Sequence, residues 1–440
     1  MRAALASLLL AGLAGAQAPA PFPPQEGAAM EAALTAWVRA VEAGEATAVA
    51  EAGAEVAQAF AELDAALDGG ALRHTAAWSE LLRAARAAER PDPAREHRAI
   101  SARMGQPYRL LRPAVPGPLP LLVVVAPAAQ AEALVDALPA ELAATRLVLQ
   151  LSFDGLAVED LPLTGRRRFV DALAEVLRRE AVDRDRVALL SAPGGEVPST
   201  AFAALLPHYF QVVALVAPQW IEGWPGSNDL VRRQRLREAL LRLPPWLELP
   251  GLPAALDPRW IGLPEVPVTQ ELSRRQVWAS WFLDWCRTNF RRGEWGQFEA
   301  MDGALAFLAA APPRVPYPPE VAHTLLDPGA GRAYWLQVQD FEYLEALGTP
   351  SRIIARVDRE ANAVLLSGRG VHAVELYLND EILDLDRPVE LRFEGSTLRR
   401  RVQVRRSLTT LLENFARNPD PDALYPAMIR LLDLPADLAE

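Results

Sequence analysis

The sequence has few of the residues that cross-link a chain or bind metals. It contains one cysteine, Cys286, which excludes an internal disulfide framework. Its five histidines, at 74, 97, 208, 323 and 372, have no metal-ligand spacing, so we predict neither a metal nor a cofactor. No run of about twenty apolar residues occurs, so no transmembrane segment is predicted. The fold must therefore depend on apolar cores, for which a hydrophobic content of 51% is sufficient.

Positive charge is also scarce. Lysine is absent, and 45 arginines against 56 acidic residues leave a formal net charge of −11 at pH 7. Nucleic-acid binding needs a basic face that neutralises phosphates, so a nucleic-acid partner is not expected. Asp380, Glu381, Asp384 and Asp386 have the carboxylates that bind calcium, but their alternation with leucines indicates the solvated face of a strand.

The first residues have the pattern of an export signal. Arg2 supplies a positive charge, residues 3–13 are apolar, and Ala14-Gly15-Ala16 forms a small-residue cleavage site. We therefore predict a signal peptide over residues 1–16, a mature chain that begins near Gln17, and a periplasmic or extracellular location.

The next segment, residues 17–93, is predicted to be helical and to end in a linker. Its apolar residues recur at helical spacing, and Gly44, Gly53 and Gly69-Gly70 divide it into two or three helices. Such helices form either a small cap on the following domain, which is our interpretation, or a docking site for a protein partner.

Residues 94–315 alternate short apolar runs with amphipathic helices. An example is a strand over Leu119 to Val125 followed by a helix over Ala129 to Thr145. Strands that are apolar throughout indicate a parallel sheet buried on both faces. The predicted fold class is α/β, a parallel doubly wound sheet, with the N-terminal helical segment and a small C-terminal β-rich domain.

That C-terminal module covers residues 316–440, where the pattern changes to a period of two. Strands are predicted at Ser351 to Val357 and Val389 to Phe393 among others, and a helix at Ser407 to Arg417. Asn379-Asp380 is predicted to form a hairpin turn.

One segment of the α/β region resembles a known family. Residues 187–218, VALLSAPGGEVPSTAFAALLPHYFQVVALVAP, resemble the strand, nucleophile elbow, helix and next strand of secreted bacterial α/β-hydrolases of the esterase and dienelactone-hydrolase kind. Those proteins carry Gly-x-Ser-x-Gly-Gly at the elbow, and Gly194-Gly195 fits that frame. Residues 118–130, PLPLLVVVAPAAQ, resemble the strand that ends in His-Gly and supplies an oxyanion donor. The resemblance covers most of residues 97–435.

The chain departs from the family at the residues that carry chemistry. The resemblance places Ala192 at the nucleophile, so no hydroxyl stands there. Acyl transfer also needs backbone N–H groups that stabilise the oxyanion, one of them directly after the nucleophile. Pro193 and Pro127 occupy two such places and have no N–H, although Ala128 could donate if its loop shifted. These departures predict that the chemistry has been lost.

An active alternative shifts the frame by one residue and uses Ser191 as the nucleophile. The chain order of the family then leaves His323 as the base, with Asp284 or Asp257 to orient it. We prefer the interpretation in which Ser191 caps the turn and His323 is an ordinary surface residue.

Aromatic residues suggest where a ligand would bind. Trp220 and Trp224 follow the strand that ends near Ala217, and ligands of open α/β sheets gather at the carboxyl ends of strands. They either line a cleft for a saccharide, an ester or an apolar molecule, or pin their own loop. The residues of the predicted cleft are Ala126, Pro127, Ala128, Ala192, Pro193, Gly194, Trp220 and Trp224.

Three functions are compatible with these patterns. The first is an exported, catalytically inactive pseudo-esterase that binds a ligand or partner in the former active-site cleft. The second is an active carboxylic-ester hydrolase that uses Ser191, with polysaccharide esters as candidate substrates. The third is a structural or interaction protein of the cell envelope, in which residues 28–90 or the C-terminal module make the contacts.

Overall fold

The computed structural model describes residues 22–87, 96–115, 117–153, 165–192, 195, 198–199, 202–203, 206–216, 295–298, 300–325, 331–342, 351–432 and 434. The predicted signal peptide, Cys286 and the candidate residues Asp257, Asp284, Trp220 and Trp224 lie outside these residues. Within the described part of the chain, every helix is too short or too polar to cross a membrane.

The described residues form eight α-helices and sixteen strands. The helices are α1 (Pro24–Ala43), α2 (Ala46–Ala66), α3 (Thr75–Ala87), α4 (Ala128–Asp136), α5 (Ala140–Thr145), α6 (Arg166–Arg179), α7 (Met301–Ala310) and α8 (Leu408–Arg417). The strands are β1 (Glu96–Ile100), β2 (Pro107–Leu111), β3 (Leu119–Ala126), β4 (Leu147–Ser152), β5 (Val182–Ser191), β6 (Val212–Val216), β7 (Trp295–Phe298), β8 (Glu320–Leu325), β9 (Arg332–Ala333), β10 (Leu336–Phe341), β11 (Ser351–Asp358), β12 (Ala363–Arg369), β13 (Val371–Leu378), β14 (Val389–Phe393), β15 (Arg399–Val402) and β16 (Ala427–Leu431).

The smaller of two compact units joins the N-terminal helices to a C-terminal segment. Of the described residues, it combines 22–87 with 379–381 and 406–427. Trp37 of α1 and Phe415 of α8 are buried in one apolar core, with ring centroids 6.4 Å apart. The predicted domain boundaries separate these segments, whereas in the structure α8 completes the helical core.

Gly44 separates two helices of this unit as the sequence predicts, whereas Gly53 does not. Gly44 ends α1 with a φ of +74°, a left-handed conformation that glycine adopts without strain. Gly53, by contrast, lies inside α2. The expectation that Gly53 separates two helices was wrong, because the helix-forming alanines and glutamates around it outweigh a single glycine.

The larger unit contains a seven-stranded sheet with the order β1-β2-β4-β3-β5-β6-β7. The strands β4, β3, β5, β6 and β7 are parallel, whereas β2 is antiparallel to β4, and β1 to β2. The sheet is therefore mixed, and the prediction of a wholly parallel sheet missed the first two strands.

Helices cover both faces of this sheet. On one face, Val123 and Leu149 share a core with Phe169 and Leu173 of α6. On the other, Leu122 and Val124 pack with Val135 of α4 and Leu308 of α7. Successive residues of β3 thus point to opposite cores, and for this reason its sequence is apolar throughout.

One predicted helix of this region is two helices in the structure. The segment from Ala129 to Thr145 is divided into α4 and α5, and Pro139 is the N-cap of the second. Proline removes a helical hydrogen bond and clashes with the preceding turn, so a continuous helix cannot form there.

The remaining strands of the larger unit form two further sheets, with the orders β16-β13-β10-β9 and β15-β14-β12-β11-β8. The sequence predicts β14 with its observed bounds and β11 to within one residue. The prediction of a hairpin turn at Asn379-Asp380 was wrong, because β13 and β14 belong to different sheets. Asn379 is buried instead, and its side chain donates a hydrogen bond to the carbonyl oxygen of Leu424 at 2.9 Å.

The acidic stretch that follows Asn379 is also not a strand. Residues 379–388 form consecutive turns in which Leu383 and Leu385 are buried while Asp384 and Asp386 face solvent. The alternation of acidic and apolar residues is real, but it arises from turns. Asn362 fixes one of them: its side chain donates to the carbonyl oxygen of Asp384 at 2.9 Å and accepts from the amide of that residue at 3.0 Å.

Candidate functional site

The candidate site lies where the parallel strands β3 and β5 end side by side. Val125 of β3 is opposite Ser191 of β5, and Ser191 is also opposite Leu215 of β6. Ala126 and Ala192 follow at the carboxyl ends of their strands. This edge is where open α/β sheets bind their ligands.

Ser191 is completely buried. Its hydroxyl donates a hydrogen bond to the carbonyl oxygen of Ala192 at 3.1 Å. The backbone of Gly195 lies against this hydroxyl, since a Cβ at residue 195 would be 3.1 Å from Ser191 Oγ. The serine hydroxyl is therefore enclosed by the turn that follows β5.

Ala192, at the predicted nucleophile position, is 2% exposed. Its methyl group packs with Ala126 and Ala131, and the partly buried Leu134 closes this small apolar cluster. An elbow that serves acyl transfer presents its side chain to the substrate. Here the side chain at that position is part of the packing between β5 and α4.

The backbone amide of Ala192 is engaged as well. It donates a hydrogen bond to the carbonyl oxygen of Val125 at 3.0 Å. The active alternative requires this amide as an oxyanion donor, because it directly follows Ser191. An amide that already has a backbone acceptor at a normal distance does not point to an empty oxyanion position.

The turn after β5 leads directly into the start of a helix. The amide of Gly195 donates to the carbonyl oxygen of Ala192 at 2.9 Å, and the amide of Ser199 donates to the carbonyl oxygen of Gly195 at 3.0 Å. A Cβ at Gly195 would lie 2.5 Å from the carbonyl oxygen of Val125, so only glycine fits there. The described residues of this segment thus comprise a strand, a glycine that admits no side chain, and the start of a helix.

The second predicted donor strand, β3, leads directly into helix α4. Pro127 is the N-cap of α4, and its carbonyl oxygen accepts hydrogen bonds from the amides of Gln130 and Ala131 at 2.9 and 3.0 Å. Ala128 is the first residue of that helix, where amides have no intrahelical acceptor.

A third strand end at this edge is occupied by a side chain. The Gln106 amide group donates to the carbonyl oxygen of Ser152, the last residue of β4, at 3.0 Å. The turn that carries Gln106 is held by α6, since the amide of Met104 donates to Asp171 at 2.7 Å and that of Ala102 to Glu175 at 3.1 Å.

Burial, together with the hydrogen bond to Glu175, raises the pKa of Tyr108 in β2 to about 12.

His323 belongs to another sheet. It lies in β8, opposite Ile353 of β11, and is completely buried. The expectation that His323 is a surface residue was therefore wrong. Ser191 and His323 lie in different sheets, and their pairing stays a prediction of the active alternative.

Several predicted site residues are outside the described part of the chain, namely Pro193, Gly194, Trp220, Trp224 and Asp284. Within the described ranges, no group of three or more histidine, cysteine, aspartate or glutamate side chains is arranged to hold a metal ion.

Ser199, a second serine close to the site, is not among the predicted site residues. Ser199 is completely buried, and its hydroxyl has no hydrogen-bond partner among the described residues. No signal in the sequence separates this serine from an ordinary helical residue.

No family model and no curated protein sequence matches the chain. Solved structures with partial likeness include an acetyl xylan esterase from Aspergillus awamori, at 12% identity over 30% of this chain and 56% of that chain, with a TM-score of 0.26. An esterase from Pyrobaculum calidifontis matches at 20% identity over 36% of this chain and 56% of that chain, with a TM-score of 0.25. The enterobactin esterase of Shigella flexneri matches at 16% identity over 34% of this chain and 44% of that chain, with a TM-score of 0.26.

These structural neighbours are esterases, and the chain matches about half of the length of each.

Proposed function

We propose that this chain is an exported α/β-hydrolase-like protein that does not perform serine-type acyl transfer and that acts by binding a ligand or a partner. The observation that carries the proposal is the hydrogen bond from the Ala192 amide to the Val125 carbonyl oxygen at 3.0 Å. It uses the backbone donor that any nucleophile at residue 191 would need for the oxyanion.

The burial of both candidate side chains supports the same conclusion. Ser191 and Ala192 are both inaccessible to solvent, and the serine hydroxyl already donates to a carbonyl oxygen. A nucleophile must come within bonding distance of a substrate carbon and must pass its proton to a base. Removal of one oxyanion donor alone costs about 100- to 1,000-fold in rate. The Ala192 amide is engaged, the Ser191 hydroxyl is buried, and residue 192 has no hydroxyl. Together these three features support an inactive site.

The decisive experiment is covalent labelling of the purified mature protein with a fluorophosphonate probe, read by intact-mass spectrometry, with an active serine esterase as a reagent control. We expect no adduct on the wild type and no turnover of p-nitrophenyl acetate above buffer. An adduct that disappears in Ser191→Ala but persists in Ser199→Ala would establish the active alternative and refute the proposal.

The binding function is tested separately. Thermal-shift measurements with saccharides should raise the melting temperature of the wild type but not of the Trp220→Ala/Trp224→Ala variant, if these residues line the cleft. The absence of any ligand-dependent shift would instead support the structural role in the envelope.

Export is tested by N-terminal sequencing of protein recovered from outside the cytoplasm. We expect a chain that begins at Gln17. A chain that retains residues 1–16 would contradict the signal-peptide prediction.

A further inference from the structure

Strand β15 is strongly basic, in contrast to the acidic chain as a whole. Its residues Arg399, Arg400 and Arg401 are consecutive and exposed. Residues 389–405, which include β14 and β15, contain five arginines and two glutamates, a formal charge of +3 in a chain whose net charge is −11. In the described residues, β15 is the last strand of the five-stranded sheet and pairs on one side with β14.

The register shows which backbone groups of β15 point outwards. The amide of Glu390 in β14 donates to the carbonyl oxygen of Asn362 at 3.0 Å, and the amide of Glu394, just after β14, donates to that of Leu366 at 2.9 Å. The backbone groups of these two residues therefore point toward β12. Leu391 lies between them and faces β15, where its partner is Arg400. Because backbone direction alternates along a strand, the N–H and C=O groups of Arg399 and Arg401 point away from the sheet.

The side chains of Arg399 and Arg401 are anchored on one carboxylate. Glu390 Oε1 lies 2.8 Å from Arg392 Nε and 3.4 Å from Arg399 Nη1, and its Oε2 lies 3.3 Å from Arg401 Nε. Asp358 Oδ2 also lies 3.4 Å from Arg392 Nη1, so three guanidinium groups and two carboxylates leave a surplus of one positive charge. The side chains of Arg399 and Arg401 remain 68% and 79% exposed, so much of this charge faces solvent.

We propose that β15 is a docking edge for an extended, acidic peptide segment of a partner protein, which adds to the five-stranded sheet as its next strand. The outward backbone groups of Arg399 and Arg401 supply main-chain hydrogen bonds, and the arginines on both faces of the strand supply complementary charge. Charged residues on an edge normally prevent pairing with another strand. Here they repel basic strands and select acidic ones.

An extended peptide fits these observations better than an anionic polysaccharide or a membrane. All three would contact the arginine side chains, but a peptide strand also satisfies the alternating N–H and C=O groups along the edge. This difference makes the proposal testable through the backbone as well as through charge.

The first test measures fluorescence anisotropy of a labelled ten-residue peptide that alternates glutamate with valine and threonine. We expect binding that weakens with salt, and much weaker binding of the same peptide with glutamine in place of glutamate. Arg399→Glu/Arg401→Glu should weaken binding by about 100-fold. The matched control is Arg356→Glu, an exposed arginine of β11 that pairs with Glu320 at 2.7 Å, and it should bind as the wild type does.

The second test separates backbone from charge. Arg401→Ala and Arg401→Pro remove the same guanidinium, but only proline removes the outward N–H, which takes no part in the pairing with β14. We expect the proline variant to bind about tenfold more weakly than the alanine variant. Arg399→Pro against Arg399→Ala repeats the comparison at the neighbouring outward residue, should one proline variant fail to fold by circular dichroism.

Several results would overturn the proposal. One is equal binding of the glutamate and glutamine peptides, and another is equal loss with alanine and proline at both residues. Binding of dextran sulfate or of phosphatidylglycerol vesicles without binding of the peptide would assign the edge to a polyanion surface. A dimer in sedimentation velocity that Arg399→Glu/Arg401→Glu abolishes would assign it to a second copy of this chain.

Discussion

The amide nitrogen of Ala192 lies 3.0 Å from the carbonyl oxygen of Val125, which accepts its hydrogen. This bond belongs to the parallel ladder that pairs Val125 of β3 with Ser191 of β5. The carboxyl end of β5 is therefore ordinary sheet structure. The methyl group of Ala192 then packs against Ala126 and Ala131, so both the backbone and the side chain of this residue serve the fold.

Introducing a hydroxyl at residue 192 should therefore not produce esterase activity. We expect Ala192→Ser to show no turnover of p-nitrophenyl acetate and to lower the free energy of unfolding by about 1–3 kcal/mol, because the new hydroxyl would be buried in an apolar cluster. Urea unfolding measures the second effect. Ala102→Ser, at an exposed turn, is the control and should change stability by less than about 0.5 kcal/mol. An active, fully stable Ala192→Ser protein would show that the site is still assembled for catalysis.

The glycine of the same turn provides a second prediction. Gly195→Ala would place a Cβ 2.5 Å from the carbonyl oxygen of Val125, so β3 or the turn must shift. We expect a loss of about 1–3 kcal/mol in thermal or urea unfolding. The control is Gly53→Ala in α2, where the nearest atom to a new Cβ is 4.0 Å away. That variant should gain up to about 1 kcal/mol, because alanine favours helix over glycine. Equal effects of the two substitutions would contradict the close approach at Gly195.

The strands of the parallel sheet could be predicted from sequence because both their faces are buried. A strand such as β3 is apolar at every residue, and this pattern depends only on its own sequence. Strand β1 gave no such signal, since its residues are half or fully exposed and its existence depends on pairing with β2. Edge strands are defined by their neighbours more than by their composition.

The candidate site likewise has features that the sequence predicts and features that depend on the pairing of distant strands. The sequence predicts a strand, a turn with glycines and a helix start at residues 187–199, and the structure has these elements where it describes the chain. The engagement of the Ala192 amide depends on the register between β3 and β5, which no local pattern encodes. The burial of His323 depends likewise on the pairing of β8 with β11.

The helical unit provides a prediction about contacts between distant parts of the chain. Phe415→Ala should cost about 3–5 kcal/mol, because a buried aromatic ring would leave a cavity beside Trp37. In hydrogen exchange, amides of α1 should lose protection together with those of α8. Phe210→Ala, in the core of the seven-stranded sheet, is the control and should leave the protection of α1 unchanged. Unchanged exchange in α1 of Phe415→Ala would show that α8 and the N-terminal helices do not form one unit.

The last prediction concerns pH and the buried carboxylate of Glu375 in β13. Burial alone would raise the pKa of Glu375, but hydrogen bonds from Tyr377, Arg430 and Gln339 outweigh it and lower the pKa below its usual value. Tyr377 Oη lies 2.8 Å and Gln339 Nε2 lies 2.6 Å from Glu375 Oε2, and Arg430 Nη2 lies 2.6 Å from Oε1.

The sign of the effect follows from linkage. Since the pKa is lower in the folded than in the unfolded state, the carboxylate contributes stability that is fully present above pH of about 4.5 and is lost as the pH falls through the folded-state pKa. We expect Glu375→Gln to be less stable than the wild type by about 1–3 kcal/mol at pH 7. Its free energy of unfolding should also fall less steeply from pH 5 to pH 3, measured by urea unfolding at each pH. The control Glu360→Gln changes an exposed turn residue and should keep the wild-type slope. If Glu375→Gln keeps that slope as well, its three hydrogen bonds do not hold the carboxylate in its charged form, and the acid sensitivity of the fold arises elsewhere.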